Sequence, residues 1–142
     1  MALNAKEIAF LETQHSAAMI TTGEDGVPKA VRVGVALVDG NLWSSGTQGR
    51  VRTSRLRRDP RCTLFVFDQG YSWLTLETMV TLLDGPEAAA QNLRLFRVMQ
   101  NRPSGPLSWF GRELDEASFL RAMADEGRVV YQFNVERAYG LN

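Results

Sequence analysis

The stretch Ser44-Ser45-Gly46-Thr47-Gln48-Gly49-Arg50-Val51-Arg52-Thr53-Ser54-Arg55-Leu56-Arg57-Arg58-Asp59-Pro60-Arg61 ends one predicted strand, opens in small polar residues and passes into a predicted helix. Asp59-Pro60 stops that helix, because proline offers no N–H and pushes the residue before it out of the helical region. The start of a helix carries unpaired backbone N–H groups and a partial positive charge. This reading places Arg50 and Arg52 in the first turn, where guanidinium groups grip a phosphate in bidentate fashion. A phosphate-bearing small molecule is therefore expected where the strand hands over to the helix. The competing reading is a solvated arginine-rich face. At 100° per residue Arg50, Arg57 and Arg61 fall together while Arg52 and Arg55 point elsewhere. A helix reading a nucleic-acid groove would carry them on one side.

Composition narrows the classes further. The 142 residues suit a single domain spanning 1–142, long enough to bury a core. Sixteen basic residues balance sixteen acidic ones, which argues against a protein that coats nucleic acid. Fourteen of the basic residues are Arg and two are Lys, a bias to which genomic base composition contributes. The single cysteine, Cys62, has no internal disulfide partner and fits a reducing compartment. One histidine, His15, and one cysteine are too few for a zinc site, so no metal is expected. Residues 1–7 hold no apolar run of signal-peptide length, and no segment has the length to span a bilayer. A cytoplasmic protein without membrane contact is the expectation. No hydrolytic triad, glycosidase carboxylate pair or P-loop is present, and the catalytic residues stay unassigned.

Around the arginine stretch the chain alternates between two periodicities. Asn4 and Glu7 have the spacing of a capping box and open an amphipathic helix ending near His15. Residues 17–22 read as a short strand, and Glu24-Asp25-Gly26-Val27-Pro28 as a turn. Val31, Val33, Val35 and Leu37 alternate with smaller or polar residues, which predicts one half-buried strand. Asp39-Gly40 marks a hairpin returning through 42–45. Residues 62–67 form a continuous apolar run, hence a central strand. After Gln69-Gly70, Leu74, Leu76, Thr78, Val80 and Leu82 share one face of a long strand, with Trp73, Thr75, Glu77 and Met79 on the other. Pro86 at helix position one suits a helix from 87 to about 100. Residues 101–111 read as a loop, 113–125 as a helix ended by Gly127, and 128–135 as a last strand that 139–141 extend. Six or seven antiparallel strands with three or four helices define an α+β class. Such a sheet tends to close into a small barrel, which removes exposed edges.

In this order the elements resemble the pyridoxamine-phosphate-oxidase-like, FMN-binding split barrel. Within it they are most similar to the branch that uses the deazaflavin coenzyme F-420. The most specific stretch is Arg55-Leu56-Arg57-Arg58-Asp59-Pro60-Arg61; Tyr71-Ser72-Trp73, Glu77 and Tyr139-Gly140-Leu141 support it. The resemblance implies an antiparallel split β-barrel with flanking helices and a homodimer holding the cofactor, coenzyme F-420 or alternatively FMN, at the subunit interface. It implies that Arg50 and Arg52, around Val51, hold the phosphate, with Gly46, Thr47 and Gln48 adding contacts. Arg32, Val33 and Gly34 would lie beside the ring system, Gly34 replacing a bulkier residue, and Tyr71 and Trp73 would come from the second subunit. Lys29 would stand where an acidic polyglutamate tail could meet it. The implied activity is hydride transfer to an unsaturated small-molecule acceptor: an enone, quinone or tetrapyrrole. Chemistry of this kind belongs to the cofactor, which the protein positions. Pyridoxamine phosphate oxidases carry a C-terminal Trp- and Arg-containing motif that residues 136–142 do not match, so vitamin B6 oxidation is not expected. A flavin reductase using FMN and a non-catalytic flavin-binding protein are the alternatives.

Several residues carry a second, simpler reading. Tyr71 and Trp73 read equally as core aromatics, and Cys62 as a small core residue. His15 reads as a cation at a helix C-terminus, and Glu77 as half of a structural ion pair with an arginine. Residues 101–111, with Trp109 and Phe110, read as a surface connection or as a lid that excludes water.

Overall fold

The computed structural model describes residues 2–141. The elements run α1 (Ala5–Thr13), β1 (Ser16–Thr22), β2 (Pro28–Gly34), β3 (Ala36–Val38), β4 (Asn41–Thr47), α2 (Val51–Arg58), β5 (Arg61–Phe67), β6 (Trp73–Leu83), α3 (Ala88–Met99), β7 (Leu107–Trp109), β8 (Arg112–Leu114), α4 (Glu116–Asp125) and β9 (Arg128–Tyr139). Seven strands make one antiparallel sheet in the order β2-β1-β5-β6-β9-β4-β3, and β7 and β8 form a separate hairpin. The curled sheet with its attached helices is the α+β split-barrel architecture.

The two edge strands of the sheet order, β2 and β3, are one continuous piece of chain broken at Val35. Alternation alone predicted a single strand over 31–37. The break has a local cause. The Val35 N–H donates to the His15 carbonyl at 2.9 Å, and His15 Nδ1 lies 2.9 Å from the Val35 carbonyl. A carbonyl only accepts, so His15 carries its proton on Nδ1. The first bond carries the β1–β2 register one rung further and the imidazole occupies the Val35 carbonyl; before Val35 the chain pairs with β1 and after it with β4. The chain thus crosses from one end of the sheet to the other in one residue and closes the curl. Extending the β3–β4 register, in which Ala36 faces Trp43, brings Gly34 level with Ser45 and Arg32 level with Thr47. There β2 and β4 have separated, leaving the seam of the split barrel.

The inside of the curl is apolar. Met19, Val35, Leu64, Val66, Leu74, Leu76 and Val129 are fully buried there, with Leu11 of α1 and Leu56 of α2 packed against them. The alternation of β6 therefore has the expected sense, with Leu74, Leu76, Thr78 and Val80 inward. On the outer face of β3, β4 and β9, Ala36, Val38, Trp43 and Val130 are covered by Leu95 of α3. A third cluster joins Leu93 of α3 to Leu107, Phe119 and Met123. The capping box of α1 is present, with Glu7 N–H to Asn4 Oδ1 and Asn4 N–H to Glu7 Oε1 both at 2.8 Å.

Four boundaries differ from the sequence reading. The first helix stops at Thr13, capped by Gln14, so His15 lies beyond its C-terminus and serves the Val35 corner instead. Glu87 caps α3, and Pro86 sits in the turn before it. Part of 101–111 is β7, and 112–114 is β8 rather than helix; the hairpin turns at Phe110-Gly111, both with positive φ. Such a two-residue turn twists with its strands, but Phe at its first position hid the signal that Asn-Gly or Asp-Gly gives. The following helix starts only after Asp115, whose side chain accepts the Ser118 N–H at 2.8 Å. Finally, β9 runs unbroken to Tyr139, with a bulge opposite Glu77/Thr78. No helix among the described residues is long and apolar enough to cross a membrane.

Cys62 faces the core from β5, and burial pushes its thiol up to about 12. Thiolate is the reactive form, so at pH 8 the native protein is expected to resist an aromatic disulfide reagent and to take up one equivalent once denatured. Rapid reaction of the native protein would place Cys62 outside the core.

Candidate functional site

The site is built at the end of β4. Its inward positions are Leu42, Ser44 and Gly46, opposite Phe133, Tyr131 and Val129 of β9. A Cβ on Gly46 would overlap the Tyr131 ring. Glycine here lets the ring lie flat against the strand, which carries the Tyr131 hydroxyl to the Thr53 hydroxyl in the first turn of α2. Thr53 donates its own proton to the Thr47 carbonyl at 2.7 Å, so in the Tyr131–Thr53 contact the tyrosine donates. Both side chains are fully buried. The turn between strand and helix is held from the other side by the Gln48 N–H, which donates to the Gly127 carbonyl at 2.9 Å. Arg50 is the N-cap of α2, one residue before the first turn where the sequence reading placed it, and it makes no side-chain cap. The first turn holds no acidic residue, which leaves the positive end of the helix uncompensated.

The arginines of this region divide into two groups. Arg57 meets Gln48 Oε1 at 2.6 Å and Asp84 at 3.1 Å. Arg58 meets the Thr22 carbonyl at 2.7 Å and Glu24 at 3.4 Å. Arg61 pairs with Asp59 at 2.8 Å, and its side-chain hydrogen bonds hold that carboxyl at about 2. These three are occupied locally, as a solvated face would have them. Arg50 and Arg52 form no ion pair among the described residues, and Arg52 Nε is sealed from solvent without a partner. The Arg52 guanidinium lies 5.9 Å from the centre of the Tyr131 ring. Burial pushes its pKa down from the usual range, the Tyr131 hydroxyl pulls it back up, and the charges of Arg50 and Arg128 push it down again. Arg128 is almost wholly buried, pairs with Glu126 at 2.8 Å and lies 4.9 Å over the Trp109 ring. A half-buried guanidinium with an orphaned donor among like charges is relieved by an anion. The donor set fits a phosphate.

The other expected residues fall on the outer face of the barrel. Val33 points into the core, whereas Arg32 and Gly34 face outward at the seam. Arg32 donates to Ser16 Oγ at 3.2 Å and borders a trough of about 500 Å³ lined with Ala18, Ala30 and Phe67. The space beside Gly34 is bounded by Met99, whose sulfur lies 3.0 Å from where a Cβ would be. Trp73 is 39% exposed and Tyr71 98% exposed, which removes the reading of both as core residues. Phe65, Phe67, Trp73 and Tyr139 form a continuous aromatic strip with ring centres 5.5–6.3 Å apart. Gly140, at φ +122, passes under the Trp73 indole where no side chain fits. Lys29 pairs with Asp25 at 3.1 Å and lines a groove beside Arg55 and Arg58 of α2. Glu77 stands opposite Arg137 in the ladder but makes no ion pair among the described residues; Arg137 lies over the Tyr139 ring instead. Trp109 packs against Phe96 and Phe119 and donates to Glu126 at 2.9 Å, so the β7–β8 hairpin is anchored to the body.

Sequence reasoning missed Tyr131, Thr53 and Arg128. The first two look like ordinary inward residues of a strand and a helix. The only signal was Gly46, an isolated glycine inside a strand, which marks a close approach.

The family model for pyridoxamine 5'-phosphate oxidase matches residues 3–142. No curated protein matches the chain. Among solved structures, a conserved hypothetical protein from Mycobacterium tuberculosis superposes with a TM-score of 0.73 at 21% identity, over 97% of this chain and 83% of its own. A protein named F420 reductase gives 0.69 at 17% identity, over 97% and 99%. An FAD-binding protein from Mesorhizobium loti gives 0.61 at 18% identity, over 96% and 92%. At these identities the likeness is one of fold.

Gly46→Ala is expected to lower stability by about 1–3 kcal/mol through overpacking against Tyr131, and Tyr131→Phe by about 1 kcal/mol through the lost hydroxyl bond. Urea unfolding measures both, and a wild-type midpoint for Gly46→Ala would show that the ring does not lie on the strand.

Proposed function

The chain belongs to the pyridoxamine 5'-phosphate oxidase family, and on that premise we propose that it is an oxidoreductase of the deazaflavin branch. It binds coenzyme F-420 and supports hydride transfer to an unsaturated small-molecule acceptor, an enone, quinone or tetrapyrrole. The observation that carries this reading is the orphaned, half-buried Arg52 Nε beside Arg50 at an uncapped helix N-terminus. The cofactor, when bound, supplies a hydride from its reduced ring. The protein supplies position and electrostatics.

Arg50 and Arg52 hold the phosphate, Arg50 from the surface and Arg52 from below, with Gly46, Thr47, Gln48 and Val51 forming the turn around it. The ring system lies across the outer face of β2, beside Arg32, Val33 and Gly34. In the groove of Lys29, Arg55 and Arg58, Asp25 and Glu24 already pair with Lys29 and Arg58, so Arg55 is the cation that would meet an acidic tail. A second copy of the chain covers the ring. The aromatic strip of Phe65, Phe67, Trp73 and Tyr139 is an exposed apolar surface of the kind that marks an interface, and a two-fold pairing would bring Tyr71 and Trp73 of one protomer to the trough of the other. FMN is the second reading, supported by the same arginines, since both ligands offer a phosphate, and by the fold shared with an FAD-binding protein.

Titration of the protein with oxidised F-420 and with FMN, followed by fluorescence, separates the two readings. Arg50→Ala and Arg52→Ala are each expected to weaken the preferred ligand by about 1.5–3 kcal/mol, the worth of a charge-assisted hydrogen bond, with unfolding midpoints near wild type. Unchanged affinity in both variants would remove the phosphate assignment. Light scattering is expected to give a dimer for the wild-type protein and a monomer for Phe67→Glu. Turnover of chemically reduced cofactor with an enone or quinone distinguishes an enzyme from a protein that only binds flavin.

A further inference from the structure

A second cavity lies near Gly34, whose ladder partner Ser16 lines the ring trough and whose neighbour Met99 lines this cavity. It is a cleft of about 730 Å³ between the C-terminal ends of α1 and α3, bordered by Glu12, His15, Leu37, Arg97, Met99 and Asn101. Its size is that of a small-molecule site. The two cavities are separated by one rung of the sheet, Ser16 opposite Gly34, with Ser16 lining the trough and its neighbour His15 lining the cleft. The His15 carbonyl lies 3.6 Å from where a Gly34 Cβ would be, and the Met99 sulfur 3.0 Å. A side chain at position 34 would fill this junction.

His15 is fastened there in one orientation. Its Nδ1–H is committed to the Val35 carbonyl at 2.9 Å, which fixes both ring and tautomer. Its Nε2 has no hydrogen-bond partner among the described residues and is not among the atoms sealed from solvent. Arg97, the cation of the cleft, is turned away, bonded to the Arg102 and Gly105 carbonyls at 3.1 Å and placed 3.6 Å from Glu116. Glu12, on α1, is the remaining ionisable group facing the cleft.

We propose that this cleft seats the hydride acceptor and that the His15 imidazolium, through its Nε2–H, is the proton donor. The inference rests on the oxidoreductase reading above. For an enone or quinone the step balances as follows. The acceptor carbon gains a C–H bond from the hydride and is reduced by two electrons, with the cofactor oxidised by two. The electron pair moves onto the carbonyl oxygen, which takes the Nε2 proton of the His15 imidazolium as that N–H bond breaks and an O–H bond forms, leaving the neutral imidazole with its proton on Nδ1. Solvent then returns a proton to the imidazole. A planar acceptor with a carbonyl in reach of Nε2 is the ligand class, and the absence of a side chain at Gly34 lets it overlap the ring trough.

Because His15 is the sole histidine, its imidazole gives one set of NMR signals. Menadione, a small naphthoquinone, is titrated into wild-type protein carrying ¹⁵N-labelled histidine, without cofactor. A saturable shift of the His15 Nε2 signal supports the proposal; an unmoved signal at the solubility limit of menadione overturns it. His15→Asn keeps an amide donor for the Val35 carbonyl and loses the Nε2 nitrogen. With reduced cofactor and menadione, kcat is expected to fall at least 100-fold in this variant, with cofactor affinity unchanged and one limb of the pH profile lost. Glu12→Gln, run alongside, is expected to retain that limb. A His15→Asn protein with wild-type kcat and pH profile would also overturn the proposal. Failure of wild-type protein to bind either F-420 or FMN would remove the oxidoreductase reading instead, which the cofactor-free NMR titration does not test.

Discussion

The corner at which the sheet changes partner is held by two hydrogen bonds at one residue. Val35 gives its N–H to the His15 carbonyl and receives the His15 imidazole on its own carbonyl. A strand can pair with two neighbours only while it stays in one plane with them. Val35 is the last residue held to the β1 side, so the stretch before it serves β1 and the stretch after it serves β4. The sheet then closes on itself through chain continuity rather than through a final ladder, and β2 and β4 part. That separation is the seam on which the outward face of Arg32 and Gly34 lies.

A second constraint acts at the other end of β4. Gly46, Tyr131, Thr53 and Thr47 form a continuous path from sheet to helix: an absent side chain, a ring laid over it and two buried hydroxyls ending on a carbonyl. Each buried polar group in this path has a partner, as burial demands. The path fixes where α2 begins and so where Arg50 and Arg52 stand. The contrast with Arg57, Arg58 and Arg61 is instructive. Those three neutralise carboxylates or cap carbonyls, whereas Arg52 is drawn half into the protein and left with an unpaired Nε. A buried donor without a partner is costly, and an anion would relieve it.

Much of this was legible along the chain. The apolar run 62–67, the β6 alternation and the Asn4–Glu7 box all read correctly, because each is a local pattern with a local cause. Misreadings came where a distant residue set the outcome. His15 looked like the end of a helix because the group it binds, Val35, is twenty positions away. Glu113 and Leu114 looked helical because Phe110 occupies a left-handed turn position that favours Asn or Gly. Glu77 looked like half of an ion pair, yet Arg137 opposite it lies over Tyr139.

By itself the sequence determined the α+β class, the periodicity and burial sense of its strands, and the junction of strand, glycine and arginines at 46–52. These are written in side-chain spacing, which acts over one or two turns. The tertiary structure alone decided which arginines are free and which are spent, where the barrel splits, and that Gly34 stands between residues lining a trough and residues lining a cleft. Those outcomes depend on pairings between residues 20 to 90 positions apart, and spacing along a chain carries no record of which distant partner a side chain will meet.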